Sequence, residues 1–169
     1  MKIGFIGLGN MGRHMALHVL EGGHDLTVFD LSRDAGRPLE GAGATWANSP
    51  AETARGADIV FTSLPLPANV LEVATGEGGV LSAISPGAVF IDLSTIDPDT
   101  AKTLDAAVRA AGAHALDSPV SGGTVGADQL ERLGENLVRH QTFHPCCEFS
   151  DILRIRFSLV RVIPTYNTR

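Results

Sequence analysis

Lysine is nearly absent from this 169-residue chain: Lys2 and Lys102 are the two it has, so no lysine-based chemistry is available beyond position 102. Cysteine is confined to the adjacent pair Cys146 and Cys147, which cannot bridge distant segments. That excludes a disulfide framework and points to a reducing, cytoplasmic setting, with an organelle matrix left open. Aromatic residues make up 5% of the chain, and its single tryptophan, Trp46, reads as packing rather than chemistry. No apolar run approaches the roughly 18 residues of a membrane span. The opening "MKIGFIGLGN" runs into glycines rather than to a small-residue cleavage site, so a soluble, unprocessed chain with no membrane partner is expected. Positive charge is also in deficit. Thirteen Lys and Arg against 19 Asp and Glu give a formal net charge of -6, which argues against nucleic acid as a partner. Anionic cofactors stay open, because local backbone dipoles bind them without net positive charge.

What the chain does have is 44% hydrophobic residues, enough for one ordinary domain. Apolar runs of strand length alternate with helical stretches. "KIGFIG" leads to a helix from about Asn10 to Glu21, "DLTVFD" to a short helix near Asp34 to Glu40, and "ATWA" to a helix opened by Ser49 and Pro50. "DIVFTSLP", "AVFIDLS" and "AHALDSP" continue the series, with a helix in "DPDTAKTLDAAVRAAG" capped by Asp97 or Ser94 and ended by Gly112. Strands of this kind, without polar alternation, predict an α/β fold of Rossmann type, a doubly wound parallel sheet with helices on both faces. Composition changes near Gly126: 18 of the 19 glycines lie at or before it, while six of the eleven arginines lie after it. The expected organisation is a dinucleotide-binding domain over 1–126 and an atypical segment over 127–169, in which "ILRIRFSLV" is either an edge strand or part of a poorly ordered tail.

"GLGNMG", Gly7 to Gly12, falls between a predicted strand and a predicted helix, the context that gives a G-x-G-x-x-G match its meaning. Gly7 permits the tight turn, Gly9 a close approach of backbone to a pyrophosphate, and Gly12 the packing of helix on strand. The helix N-terminus adds about half a positive charge. Asp30 ends the second strand 18 residues beyond Gly12, where a carboxylate accepts from a ribose 2'-OH and repels a 2'-phosphate. NAD is therefore expected as cofactor, with NADP the alternative because Arg33 and Arg37 lie close by in the sequence.

The span "FIGLGNMGRHMALHV" resembles the N-terminal signature of the 3-hydroxyisobutyrate dehydrogenase family, the β-hydroxyacid dehydrogenases. "SLPLPANV", "FIDLSTIDPDTAKTL" and "DSPVSGGTVGA" match further family motifs in the same order, over residues 1 to about 126. The resemblance implies a nicotinamide dinucleotide held by Gly7, Leu8, Gly9, Asn10, Met11, Gly12 and Asp30, with Leu64, Pro65 and Asn69 lining it and Thr95 near the nicotinamide. A capping role for Ser94 and Thr95 stands beside that. It also implies that Ser121, Gly122 and Gly123 hold the carboxylate of a small hydroxy acid or semialdehyde, an anion-binding concavity of hydroxyl and backbone N–H groups; a plain connecting loop is the alternative.

The family's helical domain brings a catalytic lysine, and nothing after Lys102 matches it, so the catalytic residue is unknown. The expectation is an NAD(P)-dependent oxidoreductase of this family in truncated or frame-altered form. The alternatives are a catalytically inactive dinucleotide-binding module and a relative of imine reductases or 6-phosphogluconate dehydrogenases. No metal site is expected: "HQTFHPCC" holds His140, His144, Cys146 and Cys147, but adjacent cysteines suit one tetrahedral site poorly. His14 and His18, four apart on the first helix, read as facing solvent or a partner. Loss of the helical wall is expected to expose Leu64, Leu66 and Val120 and to favour homo-oligomers.

Overall fold

The computed structural model describes residues 1–119. Ser121, Gly122, Gly123, Val120, the His140–Cys147 stretch and "ILRIRFSLV" lie outside the described residues. Six strands form one parallel sheet: β1 (Lys2–Ile6), β2 (Asp25–Phe29), β3 (Thr45–Trp46), β4 (Ile59–Thr62), β5 (Val89–Asp92) and β6 (His114–Asp117), in the order β3-β2-β1-β4-β5-β6. Five α-helices connect them: α1 (Gly12–Glu21), α2 (Arg33–Gly41), α3 (Pro50–Ala54), α4 (Pro67–Thr75) and α5 (Pro98–Ala110), with a short 3-10 turn at Val80–Ser82.

Every residue of β4 and β5 is buried, as are four of the five in β1, so side chains alternate between two apolar layers rather than between core and water. Phe5, Ile59, Phe61 and Ile91 point to the layer that also holds Met15 and Val19 of α1. Val60, Phe90, Val70, Leu104 and Val108 build the opposite layer with α4 and α5. Phe5 and Phe61 stack at 5.7 Å between centroids across the β1–β4 pair. Burying one such ring contributes about 1.5–3 kcal/mol.

The predicted helix starts hold where side chains cap them. Ser49 Oγ accepts from the Glu52 amide with Pro50 at the first turn of α3, and Asp97 accepts from the Asp99 and Thr100 amides at α5. Ser94 is therefore not the cap of α5. Gly112 ends that helix at φ 79°, a left-handed conformation that suits glycine. The first helix begins at Gly12 rather than Asn10, because Asn10 and Met11 are spent in the turn of the glycine loop. β3 has shrunk to Thr45–Trp46, and α4 has no counterpart among the elements expected from sequence.

One buried carboxylate ties the carboxyl ends of β4 and β5 together. Asp92 is 0% exposed, and its Oδ1 accepts from Thr62 Oγ1 at 2.7 Å, Ser94 Oγ at 2.7 Å and the Ser94 amide at 3.2 Å. Ser94 Oγ in turn accepts from the Leu64 amide at 2.9 Å. Asp92 Oδ2 has no hydrogen-bond partner among the described residues. Burial raises the Asp92 pKa above its ordinary value, and the hydrogen bonds from Ser94 and Thr62 offset part of that rise. With the folded pKa above the unfolded one, the folded chain holds the extra proton, so stability falls as pH rises from about 4 through the elevated pKa. Asp92→Asn has no such proton to lose. Urea unfolding of both chains between about pH 4 and 8 is expected to show wild type losing stability relative to Asp92→Asn as pH rises; a constant difference would rule this linkage out.

Candidate dinucleotide site

The chain leaves β1 toward β2 on one side and returns to β4 on the other, so the carboxyl ends of β1 and β4 form the switch point at which open α/β sheets bind ligands. The glycine loop fills that position. Gly7 adopts φ 92°, its amide donates to Phe29 O at 3.0 Å, and a Cβ there would lie 2.3 Å from Ser63 O. A Cβ at Gly12 would lie 1.9 Å from Gly7 O. Both contacts fall below any real Cβ separation, so these two glycines are required by the turn and by the seating of α1. Gly9 differs: it is exposed, and a Cβ there would meet nothing within 4 Å. The room beside its backbone is the kind of cradle a pyrophosphate fills.

No side chain caps α1 at Met11, and its first turn carries no acidic residue. The positive end of the helix dipole is thus left uncompensated by the chain itself, next to that room. Leu8 is buried and Asn10 exposed in the same loop. Asp30, immediately after β2, closes the arrangement: Oδ2 accepts from the Leu8 amide at 2.7 Å and Oδ1 from the Ser32 amide at 2.7 Å. A carboxylate has about four acceptor sites, so each oxygen keeps capacity for a hydroxyl.

Across the crevice, Leu64 is half-buried while Pro65 and Asn69 are exposed, Asn69 in the first turn of α4. Thr95 is exposed after β5, beside Ser94. The structure therefore brings the described candidates to one end of the sheet, on loops that follow β1, β2, β4 and β5. The Asp92–Thr62–Ser94 network fixes the last two of these loops to each other and was not foreseen. Its signal in the sequence is an aspartate closing the apolar strand "VFID", where an unpaired charge is costly.

The remaining candidates fall elsewhere. Arg33 faces Glu40 and Trp46 rather than Asp30, and Arg37 pairs with Asp34 at 3.0 Å on an exposed surface. Lys102 is exposed on α5 and pairs with Asp99 at 3.3 Å, while Lys2 opens β1 at the opposite end of the sheet from the glycine loop. His18 pairs with Glu21 at 3.1 Å, and His14 accepts from Arg13 Nε at 3.3 Å. Among the described residues there is no group of three or more metal-type ligands. None of the described helices is long and apolar enough to cross a membrane.

Comparison with known proteins agrees with this geometry. The family profile described as the NAD binding domain of 6-phosphogluconate dehydrogenase matches residues 2–132. The chain is 48% identical over 126 residues to a probable mitochondrial 3-hydroxyisobutyrate dehydrogenase of Dictyostelium discoideum, spanning 75% of this chain and 39% of that protein. It is 44% identical over 126 residues to an NAD-dependent L-serine dehydrogenase of Pseudomonas aeruginosa, spanning 75% of this chain and 42% of the other. Among solved structures, a Mycobacterium tuberculosis 3-hydroxyisobutyrate dehydrogenase with L-serine superposes with a TM-score of 0.71 at 37% identity, over 76% of this chain and 43% of that one. The chain thus spans about two fifths of the length of these relatives. With its glycine loop at the switch point of a six-stranded parallel sheet and a profile match over residues 2–132, the chain belongs to the family of NAD binding domains typified by that of 6-phosphogluconate dehydrogenase.

Proposed function

We propose that this chain binds NAD(H) as the cofactor domain of an oxidoreductase of the 3-hydroxyisobutyrate dehydrogenase type. The observation that carries the reading is the Asp30 carboxylate, held by the Leu8 amide against a glycine loop whose helix has no capping side chain. Bound nicotinamide supplies or takes the hydride in such a reaction. The residues Gly7, Leu8, Gly9, Asn10, Met11 and Gly12 present backbone to the pyrophosphate, and Asp30 takes the ribose hydroxyls. Leu64, Pro65 and Asn69 line the opposite wall, with Thr95 toward the nicotinamide. Asp30 disfavours a 2'-phosphate by charge, which sets NAD ahead of NADP.

The substrate side is a short β-hydroxy acid or its semialdehyde, with Ser121, Gly122 and Gly123 on its carboxylate. The cofactor domain is assigned to 1–126, with 127–169 an atypical segment in sequence. Leu31 and Leu66, 97% and 58% exposed at the same end of the sheet, support self-association. A reducing compartment, cytoplasm or organelle matrix, fits the cysteine pattern. A second reading is a dinucleotide binder without turnover: of the two lysines, Lys2 opens β1 at the end of the sheet opposite the glycine loop, and Lys102 is paired with Asp99 on α5.

Two variants test the cofactor reading by titration calorimetry. Asp30→Ala is expected to weaken NADH by roughly tenfold to a hundredfold, the worth of a hydrogen bond to a charged group, and to narrow the gap to NADPH. A native chain that prefers NADPH would overturn the assignment. Gly12→Ala, whose new Cβ collides with Gly7 O, is expected to abolish NADH binding while far-ultraviolet circular dichroism keeps its α/β shape. Following nicotinamide absorbance with 3-hydroxyisobutyrate, D-glycerate and 4-hydroxybutyrate separates the two readings: turnover supports the dehydrogenase, and binding without turnover the inert module.

A further inference from the structure

Arg33 opens α2 three positions after Asp30, yet the two belong to different networks. Each Asp30 oxygen accepts from one backbone amide, of Leu8 and of Ser32. Arg33 instead reaches along its own helix to Glu40, seven positions on, in a two-pronged ion pair: Nη2 donates to Oε1 at 2.8 Å and Nη1 to Oε2. Its guanidinium carbon also lies 4.4 Å from the centre of the Trp46 ring, on the neighbouring strand β3. Glu40 raises the Arg33 pKa, chiefly through that hydrogen bond, and is itself lowered by Arg33.

The platform beneath this pair is shaped for it. A Cβ at Gly36 would lie 2.3 Å from Trp46 ring atoms, so the glycine in the middle of α2 is what lets the indole rest against the helix. Phe29 backs the ring from β2 at 6.1 Å between centroids. The indole thus rests against α2 at Gly36 and meets the guanidinium of Arg33, which Glu40 of the same helix holds. An arginine at this place in a dinucleotide fold, just past the carboxyl end of β2, is within the neighbourhood where a 2'-phosphate is accommodated. Its planar fork suits phosphate and carboxylate alike, so the two anions compete for the same donors.

We infer that Glu40 is a specificity-determining residue: by holding Arg33 on Trp46 it withholds the cation that a 2'-phosphate needs, and so adds to the discrimination that Asp30 makes by repulsion. The inference rests on the dinucleotide reading above. Its size is bounded by the setting. Arg33 and Glu40 side chains are 51% and 29% exposed, and an ion pair in such a place withholds a factor of about two to five.

The test uses the whole chain, with Glu40→Ala, Arg33→Ala and the double variant, and with Arg37→Ala as a control because its partner is Asp34. Calorimetry with NADH and NADPH reads the cofactor ratio. Emission of Trp46, the single tryptophan, reads whether the guanidinium has left the indole with no cofactor present. Glu40→Ala is expected to tighten NADPH by about twofold to fivefold and leave NADH unchanged. The double variant is expected to lose that gain, and Arg37→Ala to show none. In the absence of cofactor, Glu40→Ala and Arg33→Ala should both change Trp46 emission. NADH binding with no gain for NADPH in Glu40→Ala overturns the latch alone, as does a gain that survives removal of Arg33. A chain of wild-type sequence that binds neither dinucleotide overturns the cofactor reading and the latch with it.

Discussion

The tightest approach at any of the described glycines is between two of them. Gly12 approaches the carbonyl oxygen of Gly7 so tightly that a methyl group at its α-carbon would sit 1.9 Å away. That contact decides where α1 starts relative to β1, and most of the site follows from it. With the helix seated there, the loop between must turn through a left-handed Gly7 and expose Gly9. The same turn brings the Leu8 amide to Asp30, and Gly7 also meets Ser63 at the end of β4. One steric demand thus links three strand ends, and a side chain at either glycine would part them. The cost falls on sequence freedom rather than on stability, because the strands on either side are bound into the sheet along their whole length.

Around that contact, Asp30 is held by the Leu8 amide, while the N-terminus of α1 is left without a capping side chain. The first turns of α1 and α4 carry no acid, whereas α2, α3 and α5 each carry an acidic residue in the first turn. Asp92 is buried. Its carboxylate joins Thr62, Ser94 and, through Ser94, Leu64, so the two loops beyond β4 and β5 move as a unit if they move at all. A buried acid with one oxygen unpartnered is a poor contributor to stability. Its value lies in fixing the relative height of two loops that would otherwise be joined only by sheet hydrogen bonds lower down.

The sheet was readable because its strands are apolar on both faces and because glycine, proline and aspartate punctuate them at the turns. "GLGNMG" and Asp30 were readable for the same reason: their roles depend on backbone geometry at a strand end, which local sequence determines. Other features depend on contacts between distant positions. Helix α4 begins with Pro67 in the favoured first-turn place, but the preceding Leu-Pro-Leu reads as loop, and what makes the segment helical is Val70 and Ala74 packing on the sheet. Ser94 looks like a helix cap until β4 is placed beside it and the Leu64 amide claims its hydroxyl. The grip of Glu40 on Arg33 spans two helical turns and leans on a tryptophan from another strand, so neither residue announces it. Substrate-side residues 121–123 stay an expectation drawn from the motif alone.

Placing the first strand of the chain in the centre of the sheet also has a temporal meaning. β1 receives β2 on one edge after the single crossover through α1, but its other edge waits for β4, and the Lys2 amide finds Asp58 only 56 positions later. During synthesis the half-built β1–α1–β2 unit therefore presents an open, apolar strand edge, a template for pairing with any other extended chain. Non-local parallel pairing of this sort is slow, since the loop must close before the contacts reward it. The strand that carries the glycine loop is thus paired on both edges in the finished sheet and open on one edge in the nascent one.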